Sequence, residues 1–383
     1  MKKILFFFTI LVLMIVSIRP SFAITDPLVI PNNKFGIHIL FPSEIQDAAK
    51  LINSNGGEWG YVTIPIQAGD RNLEVWQKFM DDAKDYRVIP LIRLATEGDY
   101  FNTKVWRKPK LEDVLDFANF LDSLDWPVKN RYVIVFNEVN RSDEWGGKAN
   151  PLEYAEVLNY AASVFKLKNP DFFVISAGLD NAAANNANLT FNEYNFLRTM
   201  NAEIPGIFER IDGISSHSYP NPAFSSTPAK NDQSSVASFK HEKNLIESFT
   251  NNKNLPVFIT ETGWSKKNVS ETTISHYYKD VFSGVWSDQN IVAITPFLLR
   301  ANAGPFTVFS FLNENGTPDM QYKSIEEMPK IKGLPVISKK ILGEQTALKN
   351  VPLKHFNETG ENEQNTVSKK TVFETIYKWI LKI

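Results

Sequence analysis

The chain has 383 residues, 43% of them hydrophobic and 22% charged, which is enough for one large core and more than a minimal domain needs. It contains no cysteine, which excludes a disulfide framework, a thiolate metal site and a lipid-modified cysteine. A formal net charge of −2 gives no electrostatic basis for binding nucleic acid, and the five histidines form no i, i+4 pair or ligand-spaced cluster, so no metal or other cofactor is implied.

Residues 1–23 read as an export signal. Lys2 and Lys3 precede an apolar run over 4–18, and Ser21-Phe22-Ala23 places small residues at the two cleavage-setting positions. The mature protein is then expected to begin near Ile24 and to be secreted or held in the cell envelope. An uncleaved anchor is the alternative, although the 4–18 run falls short of the ~20 apolar residues that span a bilayer. Loss of Lys2, Lys3 and Arg19 leaves 38 basic against 43 acidic residues, a net charge of −5.

From residue 35 to about 328, short apolar runs alternate with stretches of helical period. The runs cover 35–40, 61–66, 88–94, 132–138, 172–177, 211–219, 256–261 and 291–299. Between them, apolar residues recur three and four apart over 43–52, 73–83, 111–124, 152–165, 236–249 and 273–286. Pro42-Ser43 before Glu44, and Asn150-Pro151 before Glu153, are helix-start signals. Near-continuous apolar runs such as Val133-Ile134-Val135-Phe136 fit a parallel sheet covered by helices. Eight such units predict an α/β fold, a (β/α)8 TIM barrel over 24–335. A doubly wound open sheet competes with it, but no glycine-rich phosphate turn follows the first run.

Past the last unit, 305–311 reads as an added strand, 312–318 carries an Asn-Glu-Asn-Gly turn, and a short final helix follows. Residues 336–370 are polar and read as a flexible tail. Over 371–383, apolar residues at 372, 373, 376, 379, 380 and 383 fall on one helical face. This amphipathic helix either lies on a membrane surface or partner, or packs back on its own barrel.

Glu138 closes the fourth run and Glu261 the seventh, 123 residues later. A carboxylate at the end of a buried strand is costly unless it has partners or work. In an eight-unit barrel the carboxyl ends of the strands form the active face, and the fourth and seventh lie across the mouth from each other. Two carboxyls about 5–5.5 Å apart suit a retaining glycosidase, one attacking the sugar and the other protonating the departing oxygen. Alone, Glu138 would read equally well as a helix-capping carboxylate; the pair favours the site.

Asn137-Glu138 at the end of the fourth run, His217-Ser218-Tyr219 at the end of the sixth, and Ile259-Thr260-Glu261-Thr262-Gly263-Trp264 on the seventh resemble clan A of the glycoside hydrolases, over roughly 35–328. The resemblance implies that Glu138 is the general acid/base and Glu261 the nucleophile. It also implies that Asn137 binds the sugar 2-hydroxyl and that Tyr219 hydrogen-bonds Glu261, holding it ionised. Two positions differ from the clan's usual pattern: Val139 stands where proline is frequent, and Phe297 is the nearest match to its strand-eight tryptophan.

His217 and His38 are candidate sugar contacts, or strand-end histidines satisfied by their neighbours. Arg93, ending the third run, either holds Glu261 or pairs with Glu97 or Asp99. Trp264 is the first choice for stacking on a sugar face, whereas Trp59 and Trp106 read more readily as barrel packing. The polar loop from Arg141 through Gly146-Gly147 follows the acid/base and can approach a bound glycan. These residues together imply an exported hydrolase of β-linked poly- or oligosaccharides. The alternative is a catalytically silent carbohydrate-binding or cell-envelope scaffold on the same barrel.

Overall fold

The computed structural model describes residues 24–338, apart from 188, 252 and 302. The expected signal at 1–23, nearly all of the 336–370 tail and the 371–383 helix lie outside the described residues.

Strands and helices alternate along the chain: β1 (Gly36–His38), α1 (Ile45–Ile52), β2 (Gly60–Gln67), α2 (Leu73–Asp85), β3 (Val88–Ala95), α3 (Leu111–Asp122), β4 (Arg131–Ile134), α4 (Pro151–Lys168), β5 (Phe172–Ile175), α5 (Glu193–Glu203), β6 (Ile214–His217), α6 (Ser238–Glu247), β7 (Val257–Glu261), α7 (Glu271–Ser283), β8 (Ile291–Ile294) and α8 (Met320–Glu327). All pairings between these strands are parallel, in two arcs, β1 to β5 and β6 to β8. Parallel bridges from Phe35 to Ile294 and from Ile175 to Gly213 join the arcs at both seams. The result is the expected (β/α)8 barrel.

The period of two along the strands sorts the core into two regions. Val62, Ile64, Ile92, Val133, Val174, Val257 and Ile259 pack outward under the helices, with Trp76, Phe117, Phe165 and Phe196. Tyr61, Ile89, Leu91, Tyr132, Ile134, Phe173, Ile175 and Phe258 fill the barrel interior. Helix starts use side-chain oxygens to satisfy free N–H groups. Asn150, followed by Pro151, accepts from Leu152 and Glu153, as the Asn-Pro signal predicts, while Ser270 caps α7 and Asp319 caps α8.

Several boundaries differ from the sequence reading. The fourth run pairs only to Ile134, because Phe136 (φ 70°) and Glu138 (φ 37°) take left-handed backbone conformations that leave the ladder. The sixth and eighth runs likewise shorten to β6 and β8. Helix α5 is not among the stretches of helical period read from the sequence. Residues Pro305–Phe309 form a 3-10 helix instead of a strand, since Pro305 follows Gly304 (φ 75°) and suits a first helical position. Within the expected tail, Val336 accepts from the Lys129 N–H and Ile337 bridges Val128.

Candidate active site

The barrel interior changes character from bottom to mouth. Above the aromatic layer, the hydroxyls of Thr63 and Thr295 meet at 2.8 Å, and Ser215 bonds Thr260. One step higher, β1, β3, β6 and β7 present His38, Arg93, His217 and Glu261, all buried. Hydroxyls hand the apolar core over to charges, so each buried ion has a polar or opposite-charge neighbour.

Glu138 stands beyond β4 on backbone held by its own N–H to the Gly178 carbonyl (2.9 Å). A side chain at Gly178 would collide with the His217 ring, 2.2 Å from where its Cβ would lie. One carboxylate oxygen each of Glu138 and Glu261 and a ring nitrogen of His217 lie within 4.8 Å of one another. His217 Nδ1 lies 3.0 Å from Glu138 Oε1 and 3.8 Å from Glu261 Oε2. Arg93 donates to Glu261 Oε1 and, at 2.7 Å, to Asn137 Oδ1. The Tyr219 hydroxyl donates to Glu261 Oε2 at 3.1 Å.

The two carboxyls therefore have unequal surroundings. Burial alone would raise the pKa of Glu261, but His217 and Arg93 outweigh it and hold the group well below the usual carboxylate range. Burial, with Arg93 beside it, drives the His38 pKa down to about 3, so His38 is neutral near pH 7 and does not add a charge to that balance. Burial also opposes charge on His217, yet Glu261 and Glu138 raise its pKa overall. Burial, reinforced by Glu261, raises the Tyr219 phenol far above its ordinary value, so it remains a donor. The Glu138, His217 and Glu261 atoms have the spacing of a cation site. Arg93 and Tyr219 on Glu261, with Arg141 on Glu138 at 3.1 Å, occupy those oxygens with donors and oppose a second positive charge.

A cleft of about 230 Å³ opens over the pair. Arg93, Asn137, Glu138, Tyr219 and Glu261 line it, as the sequence reading places them. Three other expected contacts lie elsewhere. Trp264 is fully buried, because Gly263 (φ 148°) turns the chain outward behind β7. Its indole N–H donates to the Ser226 carbonyl, and its ring packs on Tyr277, Tyr278 and Trp286. His38 and His217 sit beneath the mouth and touch the carboxylates, not the cleft. His38 Nε2 lies 3.6 Å from Glu261 Oε1, and its ring stands edge-on to Phe297.

The cleft wall instead includes Trp106, Phe136, Phe224, Phe297, Phe306 and Phe309. Trp106 thus faces the cleft, against its reading as barrel packing, whereas Trp145 packs inward on Phe136 and Tyr154. Trp59 precedes β2, at the opposite end of the barrel from the mouth. Arg141, Glu144 and Asp180 also line the cleft. Sequence order flags only the loop that carries the first two.

No protein-family model matches the sequence, and no curated protein matches it. Solved structures share its fold. A family 39 glycoside hydrolase from the gut symbiont Bacteroides cellulosilyticus WH2 aligns with a TM-score of 0.54 at 17% identity, over 79% of this chain and 64% of its own. This chain thus spans less than two thirds of that protein's length. A GH39 β-xylosidase from Caulobacter crescentus aligns at 0.51 and 14% identity, over 78% and 72% of the two chains. A GH5_18 protein from Streptomyces cattleya, solved in complex with GlcNAc, aligns at 0.54 and 14%, over 78% and 80%. At such identities the likeness establishes the barrel, and the chemistry rests on the residues at its mouth.

Proposed function

We propose that the protein is an exported retaining glycoside hydrolase acting on a β-linked polysaccharide or oligosaccharide. The observation that carries this reading is the approach of carboxylate oxygens of Glu138 and Glu261 to within 4.8 Å across the barrel mouth. That spacing suits double displacement, and the about 6.5–9.5 Å of an inverting pair does not. The likeness in fold to glycoside hydrolases supports the same reading.

In the first step Glu261, kept ionised by Arg93 and Tyr219, attacks the anomeric carbon as the glycosidic C–O bond breaks. The departing oxygen takes the bonding pair and the proton of Glu138. Water then attacks the glycosyl-enzyme, Glu138 takes its proton, and the bond to Glu261 breaks. Asn137, fixed by Arg93 through its Oδ1, has its amide nitrogen free to bind a sugar hydroxyl. The N-terminal segment over 1–23 supports export, and the hydrolase would then meet polymers outside the cytoplasm.

The test is hydrolysis of a panel of β-linked polysaccharides and aryl glycosides, followed by NMR of the first-formed sugar. The expected result is turnover with the β-anomer appearing first; first appearance of the α-anomer would rule out double displacement.

A further inference from the structure

A general acid needs an O–H on the oxygen that faces the leaving group, yet Glu138 Oε2 accepts from a cation and Oε1 lies against a ring nitrogen. His217 Nδ1 lies 3.0 Å from Oε1, and Arg141 Nη1 donates to Oε2 at 3.1 Å. A hydrogen bond from a guanidinium cation favours the carboxylate over the acid. In the free enzyme Arg141 thus favours the form of Glu138 that the second step uses over the form that the first step uses.

Arg141 has a place to go. Its Nε and Nη2 are anchored on Asp143 at 3.1 and 2.6 Å, while Nη1, the nitrogen on Glu138, also lies 3.6 Å from Asp180 Oδ2. A small swing about the Asp143 anchor exchanges Glu138 for Asp180. All three groups sit at the cleft, where Arg141 and Asp180 line it with Glu138.

We propose that Arg141 is a positioning residue that clamps Glu138 in the free enzyme and passes Nη1 to Asp180 when the aglycone enters, so that substrate binding loads the acid. Glu138 then takes up one proton from solvent, and that proton goes to the departing oxygen. The charged and titratable groups around Glu138 include Arg93 from β3, which holds the neighbouring Asn137 and Glu261, His217 from β6, Tyr219 just beyond it, Glu261 from β7, Asp180 after β5, Glu193 at the start of α5, and Arg141 and Glu144 from its own loop. Of these, Arg141 alone is a cation anchored so that it can exchange Glu138 for another carboxylate. Burial, with Glu138 beside it, raises the pKa of Asp180, which fits a carboxylate short of a counter-charge.

This inference rests on the glycosidase reading, and its test separates the two. On a substrate with a poor leaving group, the pH profile of kcat/KM reports the free enzyme and that of kcat the complex. In the wild type, the alkaline limb of kcat is expected about one pH unit or more above that of kcat/KM. In Arg141→Gln the limb of kcat/KM should rise to meet that of kcat, because the clamp is gone. Arg141→Lys, which keeps a cation, should restore part of the separation. A 2,4-dinitrophenyl glycoside, which leaves without a proton, should show no such difference between wild type and Arg141→Gln.

Coincident limbs in the wild type would overturn the proposal without any variant. So would an equal shift of both limbs in Arg141→Gln, which would place Arg141 on Glu138 throughout the cycle. Either result in an active enzyme leaves the glycosidase reading standing, whereas absence of hydrolysis across the panel removes both.

Discussion

Replacement of Glu261 by glutamine is expected to lower kcat by about 10⁴-fold or more, equivalent to about 5.5 kcal/mol of transition-state stabilisation. The amide has nearly the shape of the carboxylate, but it cannot form a stable ester with the anomeric carbon. It also removes the anion that Arg93 and His217 face, in a region where Arg93 is only 8% exposed. Removing one partner of a buried pair typically costs about 3–5 kcal/mol, so the variant should also unfold at a lower denaturant concentration. Glu261→Ala separates lost chemistry from lost structure. With an activated aryl glycoside, added azide should restore turnover by attacking in place of the carboxylate and should give the glycosyl azide of inverted configuration. A Glu261→Gln variant with wild-type turnover would refute the nucleophile assignment. Because the pKa of Glu261 is lowered, the group stays ionised below the ~4.3 of an ordinary glutamate. An acidic limb of kcat/KM arising from it therefore lies below that pH.

Replacement of Glu138 by glutamine should have an effect that depends on the leaving group. For a poor leaving group, loss of general acid catalysis is expected to lower kcat/KM by about 10²–10⁴-fold. For a 2,4-dinitrophenyl glycoside the same substitution should barely change kcat/KM, since that oxygen departs without a proton. With that substrate the second step still needs a base, so kcat should fall, KM should fall with it, and glycosyl-enzyme should accumulate. Equal losses on both substrates would mean that Glu138 acts in some other way. Glutamine keeps an acceptor oxygen for Arg141 and nearly the shape of the carboxylate, so the fold around the mouth should survive the change.

Both predictions come from residues that sequence order already singles out. Glu138 and Glu261 end apolar runs, and the eight-run alternation alone puts those ends on one face of a barrel. Arg93 follows the same logic, Tyr219 follows from the resemblance to clan A of the glycoside hydrolases, and both reach Glu261. Other features depend on how the chain turns after a strand, which periodicity does not encode. Trp264 lies three residues beyond the nucleophile, yet the turn at Gly263 sends its indole into the packing behind β7. The aromatic wall is assembled from loops after different strands, including Trp106, Phe224 and Phe306, which are far apart in sequence. Arg141 is visible in the sequence as part of a polar loop. Its position between Glu138, Asp143 and Asp180 depends on the strained backbone at Phe136 and Glu138 and on the loop after β5. Helix α5 is legible after the fact, since Tyr194, Leu197 and Met200 recur three apart and Phe196 lies four before Met200.

On the proposed mechanism, two carboxylates over the barrel mouth divide the chemistry, one bonding to the sugar and the other moving protons. It is tested most directly by incubating the enzyme with a 2-deoxy-2-fluoro glycoside of the sugar it hydrolyses, bearing a 2,4-dinitrophenyl leaving group, and mapping the labelled peptide by mass spectrometry. The expected result is one fluorosugar per chain, attached through an ester to Glu261. Attachment to any other residue, or steady turnover with no adduct, would exclude Glu261 as the nucleophile.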